Sequence, residues 1–220
     1  MSGTRIDILW ESYRLPPKFQ NARFNNYHPQ HKSQEIALVK CQKYADAGLE
    51  NIIKGKGLFL HGAVGTGKTH LAVATAYEII RMNENQFARR PSRWEDDTVY
   101  EPGYRFTFTN FVELLATIKE SFEGNEEQKR KARDVLHRVR ADSLVILDDI
   151  GAEKPSGWVE EQFYGIINLR YEMQRATIIT TNCSPTDLEK QVGVRVVDRI
   201  FEMSSGVKVE GPSYRKKKNS

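Results

Sequence analysis

The 220 residues carry 33 Lys and Arg against 29 Asp and Glu, a net charge of +4, and 39% of them are hydrophobic. That length suits one domain with a substantial core, and the mildly basic balance is compatible with a nucleic-acid partner without requiring one. No apolar run approaches the roughly 18 residues of a membrane span and no apolar stretch follows the N-terminus, so a cytoplasmic protein without membrane contact is expected.

Cys41 and Cys183 belong to no C-x-x-C pair, which leaves no basis for a zinc ribbon or disulfide framework; both read as buried small side chains. Residues 1–26 are rich in polar and turn-forming types, and Pro16 and Pro17 block a helix there, so they read as an extended arm. From Ser33 to Ala47, Ile36, Ala37, Val39, Tyr44 and Ala47 recur at helical spacing. The first 50 residues are thus expected to form an arm and a helix that pack on the main body of the domain.

Residues 57–71 read as a buried strand, a glycine-rich turn and a helix start. Gly62, Gly65, Gly67, Lys68 and Thr69 fit G-x-x-x-x-G-K-[ST], in which glycines free the backbone to wrap phosphate oxygens with N–H groups. The helix opening at Lys68 and running to about residue 82 adds its N-terminal partial positive charge. The expected ligand is a nucleoside triphosphate with Mg²⁺, which the family resemblance given below makes ATP or ADP, cradled by Gly62, Ala63, Val64, Gly65, Thr66, Gly67, Lys68, Thr69 and His70. Lys68 would reach the β- and γ-phosphates and the Thr69 hydroxyl would ligate Mg²⁺. The five histidines show no metal-ligand spacing, so the metal is expected to arrive with the nucleotide. The preceding arm and helix are placed to cover the adenine, with Phe24 and Tyr27 as ring contacts or, alternatively, as core residues.

Residues 83–104 show no period and contain Pro91, Pro102 and mixed charges; a connection this long reads as a functional insertion. Residues 105–109 alternate like a strand, Thr109 or Asn110 can cap a helix to about Phe122, and residues 126–140 form a charged helical stretch whose simplest reading is a solvated face. Leu144 to Leu147 is a continuous apolar run ending in Asp148 and Asp149. This is a buried strand delivering carboxylates to its C-terminal edge, where open parallel sheets bind ligands. Asp148 is placed to hold Mg²⁺, directly or through water, and Asp149 to orient or deprotonate the attacking water.

Ser156 can cap the next helix, with Phe163, Ile166, Ile167 and Met173 as its buried stripe and Arg170 along it. Residues 176–181 form another strand ending at Asn182, whose amide can bond both the γ-phosphate and the lytic water, or can be an ordinary turn Asn before Pro185. Two short helices come next, over 185–191 and 194–200. Arg195 and Arg199 share a face of the second, either to stabilise charge on a neighbouring subunit's γ-phosphate or to pair with Asp198 or Glu202. An edge strand is expected around 207–210, ahead of a basic tail over 213–220 that suits solvent or a polyanion.

In this order, the motifs resemble the AAA+ ATPases of the bacterial replicative helicase loader group, the DnaC and DnaI type, together with the similar transposition helper IstB. The carrying residues are Gly62 to Thr69, Leu144 to Gly151, Ile178 to Asn182, Val194 to Ile200 and Ser213 to Arg215. The resemblance implies a three-layer α/β/α sandwich with a mainly parallel five-stranded sheet, formed by residues 51–212 with an insertion at about 83–104. Too little chain lies beyond the last strand for a full helical lid. Asn182 would match the sensor-1 position, Arg195 and Arg199 the arginine-finger segment, and Arg215 the sensor-2 position; Arg170 can lie near the subunit interface.

The activity so implied is ATP hydrolysis, slow and switch-like because Asp149 stands where many AAA+ proteins use Glu. The implied partners are a hexameric replicative DNA helicase, single-stranded DNA and further copies of the chain in a spiral or ring. Loaders of this group usually carry a separate N-terminal helicase-binding domain, whereas only a short arm precedes the core here. Two alternatives stand beside helicase loading: an IstB-like helper acting on duplex target DNA, and an adaptor that captures a replication protein through Trp94, Tyr100 and Tyr104 of the insertion.

Overall fold

The computed structural model describes residues 3–90 and 102–215. Five strands, β1 (Gly57–His61), β2 (Phe106–Asn110), β3 (Leu144–Ile150), β4 (Ala176–Thr181) and β5 (Ser204–Lys208), form one all-parallel sheet in the order β2-β3-β4-β1-β5. Strands buried on both faces need apolar residues at every position. In β1, Leu58 and Leu60 join the core on one face and Phe59 the other; Ile146 opposes Val145 and Leu147 in β3, and Ile178 opposes Ile179 in β4.

On the first face lie α1 (Arg5–Ser12), α2 (Lys32–Asp46), α3 (Gly48–Ile53) and α4 (Lys68–Met82). On the second lie α5 (Phe111–Glu120), α6 (Glu126–Ala141), α7 (Gly157–Glu172), α8 (Pro185–Val192) and α9 (Val194–Met203). Asn110, Asn125, Ser156 and Ser184 cap α5 to α8 with side-chain oxygens, each accepting an N–H of the first turn. Among the described residues, no helix is long and apolar enough to cross a membrane.

Several expectations are corrected. The first residues are not an extended arm throughout: Thr4 and Asp7 form a capping box that starts α1, and the helix buries Ile6, Leu9 and Trp10 before Pro16 and Pro17 are reached. Trp10 stacks on Phe106 of β2 at 5.8 Å and meets Tyr77 of α4 edge-to-face. In α2 the buried stripe is Gln34, Ala37, Cys41, Tyr44 and Ala45; Ala37 and Tyr44 are buried as expected, whereas Ile36 and Val39 face outward. Met173 lies just past the end of α7 and is 63% exposed rather than buried. The last strand starts three residues earlier than expected, at Ser204, because it pairs in parallel with β1 from Gly57 onward. Cys41 is buried as expected, but Cys183 is only half-buried.

Of the segment 83–104, residues 91–101, with Trp94 and Tyr100, lie outside the described residues, as do residues 216–220 of the basic tail. The two ends of the segment are pinned together: the Ala88 N–H donates to the Tyr104 carbonyl at 2.9 Å, the Tyr104 N–H donates to the Gln86 carbonyl at 2.8 Å, and the Tyr104 ring packs on Phe87. Arg170 is fully buried, away from any surface. Its Nε donates to Thr177 Oγ1 at 2.8 Å, and its two terminal nitrogens donate to the carbonyls of Val139, Asp142 and Ala176 at 2.7–2.9 Å. It is therefore a strut between α6, α7 and β4, which corrects the expected interface position. Nearby, Asp142 pairs with Arg90 and accepts from the Thr107 hydroxyl at 2.6 Å.

Candidate nucleotide-binding site

The residues between β1 and α4 form a turn whose glycines are required by geometry. Gly67 sits at φ +92°, and a Cβ there would lie 2.5 Å from the Tyr27 ring. Gly65, at φ +79°, would bring a Cβ to 2.0 Å from Ser213 Oγ. Only glycine tolerates both the left-handed backbone and the close approach. The Thr66 hydroxyl closes the turn by donating to the Ala63 carbonyl at 2.9 Å, while Val64 at the tip is exposed. Two outer residues hold the loop from the side: the Tyr27 hydroxyl donates to the Thr66 carbonyl at 2.9 Å, and the fully buried Gln34 amide reaches toward both Thr66 and Pro212 carbonyls.

Lys68, only 6% exposed, donates to the Gly62 carbonyl at 2.8 Å, the Ala63 carbonyl at 2.7 Å and Asn182 Oδ1 at 2.8 Å. Burial pushes its pKa down to about 8, against the upward pull of Asp149 and Asp148 and with a further downward push from Arg215. The Asn182 amide in turn donates to Asp149 Oδ1 at 2.6 Å. The lysine, the strand-tip amide and the second carboxylate are thereby joined in one chain.

Asp148 is buried at the end of β3 and accepts from the Thr180 hydroxyl at 2.7 Å; Thr69 also bonds this carboxyl. Burial raises its pKa, and the two hydroxyls pull it back down. The two expected magnesium ligands, Thr69 and Asp148, therefore meet. Asp149 departs from the regular strand, with a left-handed backbone at φ +59°, and its N–H donates to Thr180 Oγ1 at 2.9 Å. Consecutive acids on a regular strand point to opposite faces; this local twist aims Asp149 at Asn182 instead.

The donor set fits a magnesium nucleotide. A cradle that a side chain would fill, a buried ammonium and a hydroxyl–carboxylate pair are the groups that phosphates and a hard cation use. His70 is placed differently: its ring Nε2 bonds the Arg23 carbonyl at 2.9 Å and the ring lies 5.4 Å from Tyr27. Burial is the main cause that lowers its pKa. Tyr27 is both buried and next to the loop, with Tyr214 at 5.7 Å, and Phe24 packs against the same core. Tyr214 N–H donates to the Gly65 carbonyl at 3.0 Å, and Arg215 beside it is near enough to help lower the Lys68 pKa.

Arg195 and Arg199 lie one turn apart on α9. Arg199 packs its guanidinium over the Tyr164 ring at 5.0 Å and the Tyr171 ring at 5.8 Å, and Arg195 is exposed. Among the described residues neither arginine pairs with Asp198 or Glu202. Glu202 instead accepts from the Tyr171 hydroxyl at 2.6 Å. No hydrogen bond joins either arginine to the phosphate loop of its own chain. Sequence reasoning missed Thr180, Gln34 and Tyr214. A hydroxyl two residues before Asn182 is a signal that a strand-end site gives; a buried Gln on an amphipathic helix gives none.

The chain is similar to several known proteins. It is 26% identical over 175 residues to the replicative helicase loader DnaI of Bacillus subtilis, covering 74% of this chain and 48% of that one. It is 24% identical to the replicative helicase loader DnaC of Escherichia coli K12, covering 84% of this chain and 65% of that one. The chain thus spans about half to two thirds of these relatives. Among solved structures, the crystal structure of a DnaC helicase loader matches with a TM-score of 0.68 and 29% identity over 89% of this chain and all of the other. A DnaI structure matches with a TM-score of 0.69 at 23% identity, over 93% of this chain and 98% of the other. The AAA+ form of the P-loop α/β fold expected from the sequence is borne out. The family model described as IstB-like ATP binding protein matches residues 97–220, more than half of the sequence, and the chain belongs to that family.

Proposed function

We propose that this chain is a slow ATPase that serves as a helicase loader, delivering a hexameric replicative DNA helicase to single-stranded DNA in replication initiation. The observation that carries the reading is the hydrogen-bonded chain Lys68–Asn182–Asp149 beneath the phosphate loop. When bound, magnesium supplies charge neutralisation on the phosphates. Lys68 would exchange its contacts with Gly62, Ala63 and Asn182 for phosphate oxygens, and Thr69 and Asp148 would hold the cation. Asn182, released from Lys68, stays on Asp149 and orients that carboxylate, which positions the attacking water as general base. Arg215 adds charge from the same chain, and Arg195 or Arg199 supplies it from a neighbouring subunit in an ATP-bound spiral or ring.

The helicase partner is supported by the names of the relatives, DnaI and DnaC loaders. A single-stranded DNA partner is supported by Phe122, 63% exposed beyond α5 and edge-to-face with Trp158, beside the cation-rich α6; exposed aromatics among cations suit base stacking along a phosphate backbone. The test is co-purification of the full chain with a replicative helicase hexamer, with and without ATP. ATP-sensitive association supports the reading, and failure to associate in both conditions removes it.

The match to the IstB-like family favours one second reading, a helper that binds duplex target DNA for a transposase. Duplex binding that is ATP-dependent and tighter than single-strand binding at the same salt would select it.

A further inference from the structure

At the opposite edge of the sheet from the phosphate loop, α6 and α7 leave a groove of about 460 Å³ between them. Leu136, Ala141, Leu169 and Met173 line it, and Arg133, Arg140 and Arg175 stand around it. Arg175 immediately precedes β4 and Ala141 closes α6, so the groove lies where strands begin, and the nucleotide lies where they end.

Two features of this groove are unlike an ordinary solvated helix face. Met173 offers a flexible apolar side chain that is 63% exposed, next to the apolar side chains of Leu136 and Leu169. Among the described residues, none of the three arginines has an ion-pair partner, and Arg140 Nε is buried without a hydrogen-bond acceptor. Some exposed cations elsewhere on helices pair locally, as Lys32 does with Glu35, Lys54 with Glu50 and Lys129 with Glu126. Here a desolvated guanidinium nitrogen and two further cations ring an apolar floor, and among the described residues no carboxylate lines it.

We propose that this groove docks an acidic amphipathic helix of a partner protein, with apolar side chains at i and i+4 seated on Leu136, Leu169 and Met173. Its flanking carboxylates meet Arg133, Arg140 and Arg175. Complementary charge selects this occupant over a second copy of the same face, which would set three guanidiniums against three. The apolar floor selects it over a nucleic-acid backbone, whose phosphates have no use for Met173 or Leu169. Helix-in-groove recognition has this form, apolar anchors for affinity and charged rims for orientation.

The probe is a fluorescent synthetic helix with Leu at i, i+4 and i+7 and Glu on either side, titrated with the full chain by anisotropy. A scrambled peptide of identical composition and a version with Lys for Glu serve as controls. Saturable binding is expected for the acidic amphipathic peptide alone, weakened at least about tenfold by Met173→Glu and by Arg175→Glu. Both positions lie outside the nucleotide site, so Mg-ATP affinity should be unchanged in both variants and confirm that they fold. Equal binding of the scrambled peptide, no saturable binding, or full affinity in both variants would overturn the proposal. Displacement of the peptide by a single-stranded oligonucleotide, with oligonucleotide affinity lost in Arg175→Glu but kept in Met173→Glu, would overturn it in favour of a nucleic-acid face.

Discussion

Lys68 and Asn182, 114 residues apart in sequence, share a 2.8 Å hydrogen bond that closes the phosphate site on itself. Every ammonium proton of Lys68 has an oxygen: two from the loop and one from Asn182 at the tip of β4. A phosphate entering the cradle competes with these contacts, and the first to yield is the exposed Asn182, since the loop carbonyls are fixed by the turn. Lys68→Ala is therefore expected to weaken Mg-ATP binding by at least about tenfold, near 1.4 kcal/mol or more, and to remove turnover. Equilibrium titration with a fluorescent nucleotide checks it; parental affinity and turnover in this variant would contradict the site.

The same lysine gives a pH signature. Burial lowers its pKa from 10.5 to about 8, so between those values the unfolded chain binds a proton that the folded chain does not. Folding stability contributed by this group therefore rises as pH climbs through that window and is lowest below about pH 8. Lys68→Met removes this group's titration, so the stability of the parent should rise relative to that of the variant as pH climbs through the window. Paired denaturant melts across pH isolate the lysine, because the raised tyrosines and Cys41 are common to both proteins.

Asp149→Asn should keep nucleotide affinity within about twofold while slowing hydrolysis by roughly a hundredfold, since it removes a base and leaves the Lys68 and Asp148 contacts in place. A steady-state phosphate-release assay beside a binding titration separates the two effects. Equal loss of both would assign Asp149 to binding instead.

Arg199→Glu should leave nucleotide binding by isolated subunits intact and lower turnover of the assembled protein at least about tenfold. Mixed with Lys68→Ala subunits, it should regain part of the activity, because an intact arginine then faces an intact phosphate loop. Absence of any recovery at several mixing ratios would argue that Arg199 acts only through its packing on Tyr164 and Tyr171.

Arg170→Ala is expected to lower stability by about 3 kcal/mol or more, because it strands three buried carbonyls and the Thr177 hydroxyl at once. Arg170→Lys should recover little of this, since one ammonium cannot span acceptors on both β4 and the C-terminal end of α6. Thermal unfolding is the measurement, and a variant of parental stability would return Arg170 to a surface role.

What the residues reveal of this fold, and what they conceal, divides along physical lines. The phosphate loop, the strand ending in Asp148 and Asp149, and the strand ending at Asn182 are legible because each couples a long apolar run to a fixed change of residue type. Parallel strands buried on both faces announce themselves that way. Helix α1 is hidden because its capping box, Thr4 and Asp7, is a weaker signal than the pair of prolines after it. The buried face of α2 is easily misread because two of its inward residues, Gln34 and Cys41, are not conspicuously apolar, while outward Ile36 and Val39 are. Arg170 looks like a surface charge, since nothing local tells that its guanidinium will make four hydrogen bonds to α6, its cap and β4. The turn of Asp149 toward Asn182 rests on a left-handed backbone that no side-chain pattern encodes.

The Tyr214 hydroxyl donates to the His28 carbonyl at 2.6 Å while its own N–H is tied to Gly65. Segments 186 residues apart thus meet at Tyr214, whose backbone is tied to Gly65. Whatever moves Gly65 pulls on both, so filling the cradle is felt at once near either end of the chain, and limited proteolysis there reads out the occupancy of a loop that the protease never touches.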